Sequence, residues 1–204
     1  MTRSLKAPAL VGALLDAATG EQADLGVRRE GTVLTVDGER GDRLAVYTER
    51  RAAPAGTASF HLAVALCVLP YTAWTRRVPL SAARGTRYRE GDGLIWDRIA
   101  APNGWPPGIW EVTAATLEQR TGEFVATLRA ALQDTWLPLL PRAALHAALR
   151  DRDAKLPGRP ADRRTGELMC IIEDTAPADR DRLATFLEGR GDAELAAWVR
   201  TAFG

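Results

Sequence analysis

Two histidines, His61 and His146, and two cysteines, Cys67 and Cys170, are all that this 204-residue chain offers for conventional nucleophile-and-base chemistry. A nucleophilic Cys or Ser needs a base within hydrogen-bond reach. His61 and Cys67 share one side of an alternating apolar run, Thr57 to Leu69, but their separation in it is about 20 Å at strand rise, too far for a dyad. His146 lies in a helix-like Ala-Ala-Leu-His-Ala-Ala-Leu setting, and neither a G-x-S-x-G turn nor a papain-type Cys context is present. His61 therefore reads as structural. No C-x-x-C, H-x-x-x-H or H-E-x-x-H spacing exists for zinc, and Asp151-x-Asp153 and Asp179-x-Asp181 are interleaved with Arg152 and Arg180, as solvated charge is. Gly38-Glu39-Arg40-Gly41, Gly91-Asp92-Gly93 and Gly189-Arg190-Gly191 read as turns, since none opens a helix in a phosphate-binding frame. No catalytic residue, metal site or cofactor is expected.

What remains is an aromatic and basic segment. Between Tyr71 and Trp110 lie four of the six tryptophans, Trp74, Trp96, Trp105 and Trp110, together with Arg76, Arg77, Arg84, Arg87, Arg89 and Arg98. Tryptophan and arginine dominate interface hot spots and also stack on bases. The candidate binding residues are Trp74, Arg76, Arg77, Arg87, Trp96, Arg98, Trp105 and Trp110. The competing reading packs the tryptophans between sheet and helix with the arginines at the rim; it weighs more for Trp96 and Trp110 than for Trp74 and Trp105, which sit beside turns and prolines. Asp97, Arg98, Glu111 and His61 are the polar groups that a pocket beside these loops could use.

The elements that must hold this segment follow from period and punctuation. Composition is that of an ordinary globular chain, 46% hydrophobic and 26% charged, and a chain of this length buries roughly 70% of its extended surface without staples. The formal charge is +1, which argues against a general nucleic-acid coat or a polybasic membrane anchor. Of 27 basic residues only Lys6 and Lys155 are lysines, as a GC-rich bacterial genome would write them. Arg3 and Lys6 ahead of the Ala7 to Leu15 run resemble a secretory start. Leu10, Val11, Leu14, Leu15 and Ala18 instead fit one face of an amphipathic helix, with Ser4 as a cap, Pro8 in the first turn and Gly20 as the stop. Scattered cysteines in apolar settings point to a cytoplasmic chain without disulfides.

Strands are expected over Gly26 to Val36, ending in an Asp37-Gly38 turn, then over Arg43 to Arg50 and Thr57 to Leu69, in an antiparallel meander. On the third strand Ser59, His61, Ala63, Ala65 and Cys67 form a side of mostly small residues, suited to close cover by a helix. Short strands follow near Leu94 to Ile99 and Ile109 to Val112. Leu117, Thr121, Phe124, Val125, Leu128, Leu132 and Trp136 then mark a long amphipathic helix that Pro138 and Pro141 kink or end. Leu145 to Arg150 begins another. The fold class is α+β, an antiparallel meander covered by the first helix and the long helix. Residues 1–150 form the α+β domain, 151–166 a polar linker, and 167–204 a helical extension packed on that domain, its last helix capped by Asp192.

This order, from Leu25-Gly26-Val27-Arg28-Arg29-Glu30-Gly31-Thr32-Val33 through Thr57-Ala58-Ser59-Phe60-His61-Leu62-Ala63-Val64, Trp96-Asp97-Arg98-Ile99 and Trp110 to Trp136-Leu137-Pro138-Leu139-Leu140, resembles the bacterial family called domain of unknown function 4304. The pattern covers about residues 8–149. Where members of that family carry a Gln-Ser or Gln-Arg-Ser element, this chain has Tyr47-Thr48-Glu49-Arg50-Arg51. The resemblance implies a mixed α+β fold and no known activity. The expectation is a non-enzymatic cytoplasmic protein that acts by macromolecular interaction, as an immunity-like or accessory factor, its partner another protein and neither nucleic acid nor membrane. The alternative is an enzyme or small-ligand binder with a pocket between the sheet and the loops of residues 71–110.

Overall fold

The apolar spacing of Leu10, Val11, Leu14, Leu15 and Ala18 becomes the buried face of helix α1, Ala7–Glu21. Pro8 sits in its first turn, where a missing N–H breaks no helical bond. The helix passes Gly20 by one residue, and Gln22 closes it with an N–H bond to the Ala18 carbonyl. The computed structural model describes residues 6–89, 91–160 and 162–203, so the Ser4 cap and Arg3 lie outside the described residues.

The run expected as one strand from Gly26 is a hairpin of β1, Arg28–Glu30, and β2, Val33–Asp37. Gly31 adopts φ +68°, a conformation that residues with a Cβ resist, and reverses the chain so that Glu30 faces Val33. The meander continues with β3, Arg43–Arg50, and β4, Thr57–Cys67, in antiparallel register. Helix α2, Leu69–Arg76, follows at once, and the Leu69-Pro70 pair that ends the strand also starts this helix. After the short α3, Leu80–Ala83, come β5, Ile95–Ile99, and β6, Trp110–Thr113. β4 is long enough to seat both on one side, β5 against Leu62 to Leu66 and β6 against Thr57 to Phe60. With β7, Arg159–Pro160, at its far edge, the sheet runs β1-β2-β3-β4-β5-β7, with β6 beside β4, and its paired strands are antiparallel.

The long helix is α4, Leu117–Ala131, which widens into a π-type turn over Leu132–Trp136 and tightens into a 3₁₀ turn, Leu137–Leu139, at Pro138. α5 spans Arg142–Arg150. The stretch 151–166 is anchored at two places. It supplies β7, Arg159–Pro160, to the edge of β5, and Arg163 donates to the carbonyls of Asp151 at 2.6 Å and Ala154 at 2.8 Å. The remaining helices are α6, Arg163–Ile171, α7, Pro177–Gly189, and α8, Ala193–Thr201. Asp162 caps α6 by accepting the Thr165 N–H at 2.8 Å. Asp192 occupies the corresponding place before α8, but its side chain makes no capping bond.

One apolar core runs from α1 and α4 through Leu44, Val46, Leu62, Val64 and Leu66 to Met169, Leu195 and Val199, so α6 to α8 share it with the sheet. Each such side chain contributes about 1.5–3 kcal/mol on leaving water. Its polar counterpart is Arg142, only 4% exposed, which donates to both oxygens of Asp42 and to Glu173, while its N–H bonds Glu39 at 2.8 Å. Those contacts tie the β2–β3 turn to α5 and to the turn after α6. In all fourteen ion pairs among the described residues the cation is an arginine. No helix of the described residues is long and apolar enough to cross a membrane.

Candidate functional site

Strand alternation divides the sheet into two faces. Leu44, Val46, Leu62, Val64 and Leu66 belong to the helix-covered core. In register on the opposite face stand Ala45, Ala65 and Trp96, then Tyr47, Ala63 and Arg98, then Glu49 and His61. The small residues of β4 were expected to meet a helix. They meet side chains and a loop instead: Ala45, Ala65 and Cys67 form a separate cluster packed by Val33, Tyr47 and Tyr88. Tyr88 arrives on segment 84–93, whose described residues, 84–89 and 91–93, cross this face between α3 and β5. Gly93 makes the crossing close, because a Cβ there would stand 2.8 Å from the Ala65 Cβ.

A buried clamp holds that segment. Asp92, 3% exposed, accepts Arg76 Nε at 2.8 Å, a second Arg76 nitrogen, and the Arg89 N–H at 2.6 Å. Arg76 also donates to Thr86 Oγ1 at 2.5 Å and to the Arg87 carbonyl at 2.6 Å. The hydrogen bond and charge of Asp92 raise the Arg76 pKa further above its usual range, so the cation persists at any pH of interest. Charge-assisted pairs with all partners satisfied are strong and directional.

Between sheet and segment lies a cleft of about 290 Å³, lined by Tyr47, Glu49, Tyr71, Tyr88, Gly91, Gly93 and Trp96. The chain has three tyrosines, and all of them are here. The Tyr47 and Tyr88 rings lie 4.9 Å apart at 30°. Burial, and a hydrogen bond shared with Tyr47 that favours the neutral form, push the Tyr88 phenol far above the usual range, and burial also raises Tyr71. These phenols stay neutral. Trp96 is 40% exposed, one of three large hydrophobic residues so exposed among those described. Glu49 Oε2 accepts two bonds from Arg98, from Nε at 2.9 Å and NH2 at 2.6 Å.

The residues singled out in sequence separate into four places. Trp96 and Arg98 stand at the cleft. Arg76 is the clamp behind it, and Arg87, exposed, lends only its carbonyl to that clamp. Trp74 is half-buried, its ring edge-on to Tyr71 at 5.6 Å. It lines a second groove with Trp198 and Arg77, and Arg77 pairs with Glu194 at 3.0 Å across that mouth. Trp105 and Trp110 are core residues. Trp105, 8% exposed, donates to Glu123 at 2.5 Å under the Arg120 guanidinium, and Trp110, fully buried, donates to the Ile99 carbonyl at 2.9 Å and meets Phe124 edge-on.

Of the polar groups considered for a pocket, Arg98 reaches the cleft through Glu49, while His61, Asp97 and Glu111 are not in its lining. His61 bonds Arg51 and the Gly108 carbonyl, each at 2.9 Å; since Arg51 can only donate, His61 Nε2 accepts and Nδ1–H donates. Asp97 accepts the Arg98 N–H at 2.8 Å. Both thiols are buried and free. Desolvation raises Cys67 well above the usual thiol range and pushes Cys170 up to about 12, so neither supplies a thiolate. Among the described residues no group of three His, Cys, Asp or Glu is placed to hold a metal. The cleft residues missed in sequence are Tyr47, Glu49, Tyr71, Tyr88, Gly91 and Gly93. The signal for two of them is the alternation that puts Tyr47 and Glu49 on the side of β3 facing the small residues of β4. Compared with protein-family models, with curated proteins and with solved structures, the chain matches none.

Proposed function

We propose that this chain is a non-enzymatic cytoplasmic protein that works by binding another protein, and that its recognition surface is the aromatic cleft on the open face of the sheet. The observation that carries the reading is Trp96, left 40% exposed in a cleft with all three tyrosines behind a loop that a buried ion pair holds in place. Aromatic residues on a rigid sheet give large contact area at little entropic cost, which is what anchors an interface. His61 already has two partners and both thiols are protonated, so among the described residues the cleft is offered neither a thiolate nor a free imidazole.

The test is affinity capture from the source cells with the wild type, Trp96→Ala and Arg77→Ala. A partner held by the wild type and Arg77→Ala but lost from Trp96→Ala supports the cleft. Equal retention by all three overturns it, and absence of any partner overturns the binding reading. The cleft volume of about 290 Å³ favours one second reading, a small planar ligand in the same place. Capture of a small molecule by the wild type alone would select it.

A further inference from the structure

We infer that the group the cleft receives is the side chain of an arginine on the partner protein, stacked against Trp96 and paired with Glu49; this rests on the binding reading above. Among the described residues of the lining, Glu49 is the formally charged one. The side chains around it are the aromatic rings of Tyr47, Tyr71, Tyr88 and Trp96, a ring type that attracts cations and favours the planar guanidinium over a compact ammonium. Gly91 and Gly93 keep the slot open, since they bring no side chain into it.

The molecule already displays the pairing. Both bonds from Arg98 fall on Glu49 Oε2, and among the described residues none donates to Oε1, whereas a fork entering along the carboxylate plane would engage both oxygens. Arg98 is half exposed, and an ion pair of this kind exchanges readily. It occupies the carboxylate from the side while the cleft is empty and swings into solvent when an incoming guanidinium takes its place.

The experiment titrates the full chain with an acetylated Gly-Arg-Gly amide and follows the Trp96 indole N–H by NMR. The matching citrulline peptide, which keeps shape and loses charge, and the lysine peptide serve as comparators. The arginine peptide is expected to bind saturably and about tenfold more tightly than the citrulline peptide. Glu49→Gln should weaken it by a similar factor. Arg98→Ala should tighten it several-fold, a direction that loss of structure does not produce. Equal binding of the arginine and citrulline peptides, weaker binding by Arg98→Ala, or no binding by the arginine peptide overturns the inference. The cleft reading stands or falls separately on capture by Trp96→Ala.

Discussion

Replacing Arg76 by Met asks what holds segment 84–93 over the sheet. Keeping Asp92 buried without its guanidinium would cost about 3–5 kcal/mol. Ordering the backbone of such a segment costs about 1–2 kcal/mol per residue. Against that, the variant retains the burial of Tyr88, about 1.5–3 kcal/mol, and its ring contact with Tyr47, about 0.5–1.5 kcal/mol. The closed arrangement loses on both counts, so the segment should lift and Asp92 should rehydrate. Hydrogen exchange reads this directly. The Arg89 and Asp92 amides, bonded to the Asp92 carboxylate and the Arg89 carbonyl, should lose protection, while the Leu94 amide, bonded to the Leu66 carbonyl at 2.9 Å, keeps it. Urea unfolding should then show a global loss smaller than the 3–5 kcal/mol above, because local opening relieves the buried charge. Unchanged protection at Arg89 and Asp92 would refute the clamp. A full-sized global loss with protection falling evenly through β4 would refute the local opening.

Two further outcomes test the frame around the site. Arg142→Met leaves the buried Asp42 without its cation and Glu173 with Arg84 alone, at 3.8 Å, and should cost about 3–5 kcal/mol in urea unfolding, while the double variant Arg142→Met/Asp42→Leu should recover much of it. Asp162→Ala removes the α6 cap and should cost about 1 kcal/mol at neutral pH. The Thr165 N–H holds the Asp162 carboxyl below its ordinary value of 3.8, so this contribution is present above that value and is lost as pH falls through the lowered one. The stability gap between wild type and Asp162→Ala in acid titrations should close there.

How much of this was legible depended on whether a feature is local. β3 fell on the expected Arg43–Arg50, and the long helix began at the expected Leu117, because alternation and the spacing of Leu, Phe and Val report directly on which side is buried. The β1–β2 hairpin was not separated from a single strand, since nothing in Glu30-Gly31-Thr32 alone forces Gly31 to positive φ. The cleft needed three separations to close at once: Tyr47 on β3, Tyr71 on α2 and Tyr88 on a loop come together only when segment 84–93 is known to cross the sheet. Trp96 and Trp110 looked alike in sequence. Their fates differ because Trp110 faces Phe124 beneath α4, whereas Trp96 stands opposite Ala65 on the face without a helix.

The arginine-only ion pairs also determine what chemistry the surface admits. Acyl transfer, ubiquitin conjugation and amine cross-linkers need a primary amine, which a guanidinium does not provide. The side chains offer just two, Lys6 at the start of α1 and Lys155 before β7, both exposed and neither in the cleft. Lysine-directed modification or immobilisation therefore enters at two defined addresses and leaves the aromatic face untouched.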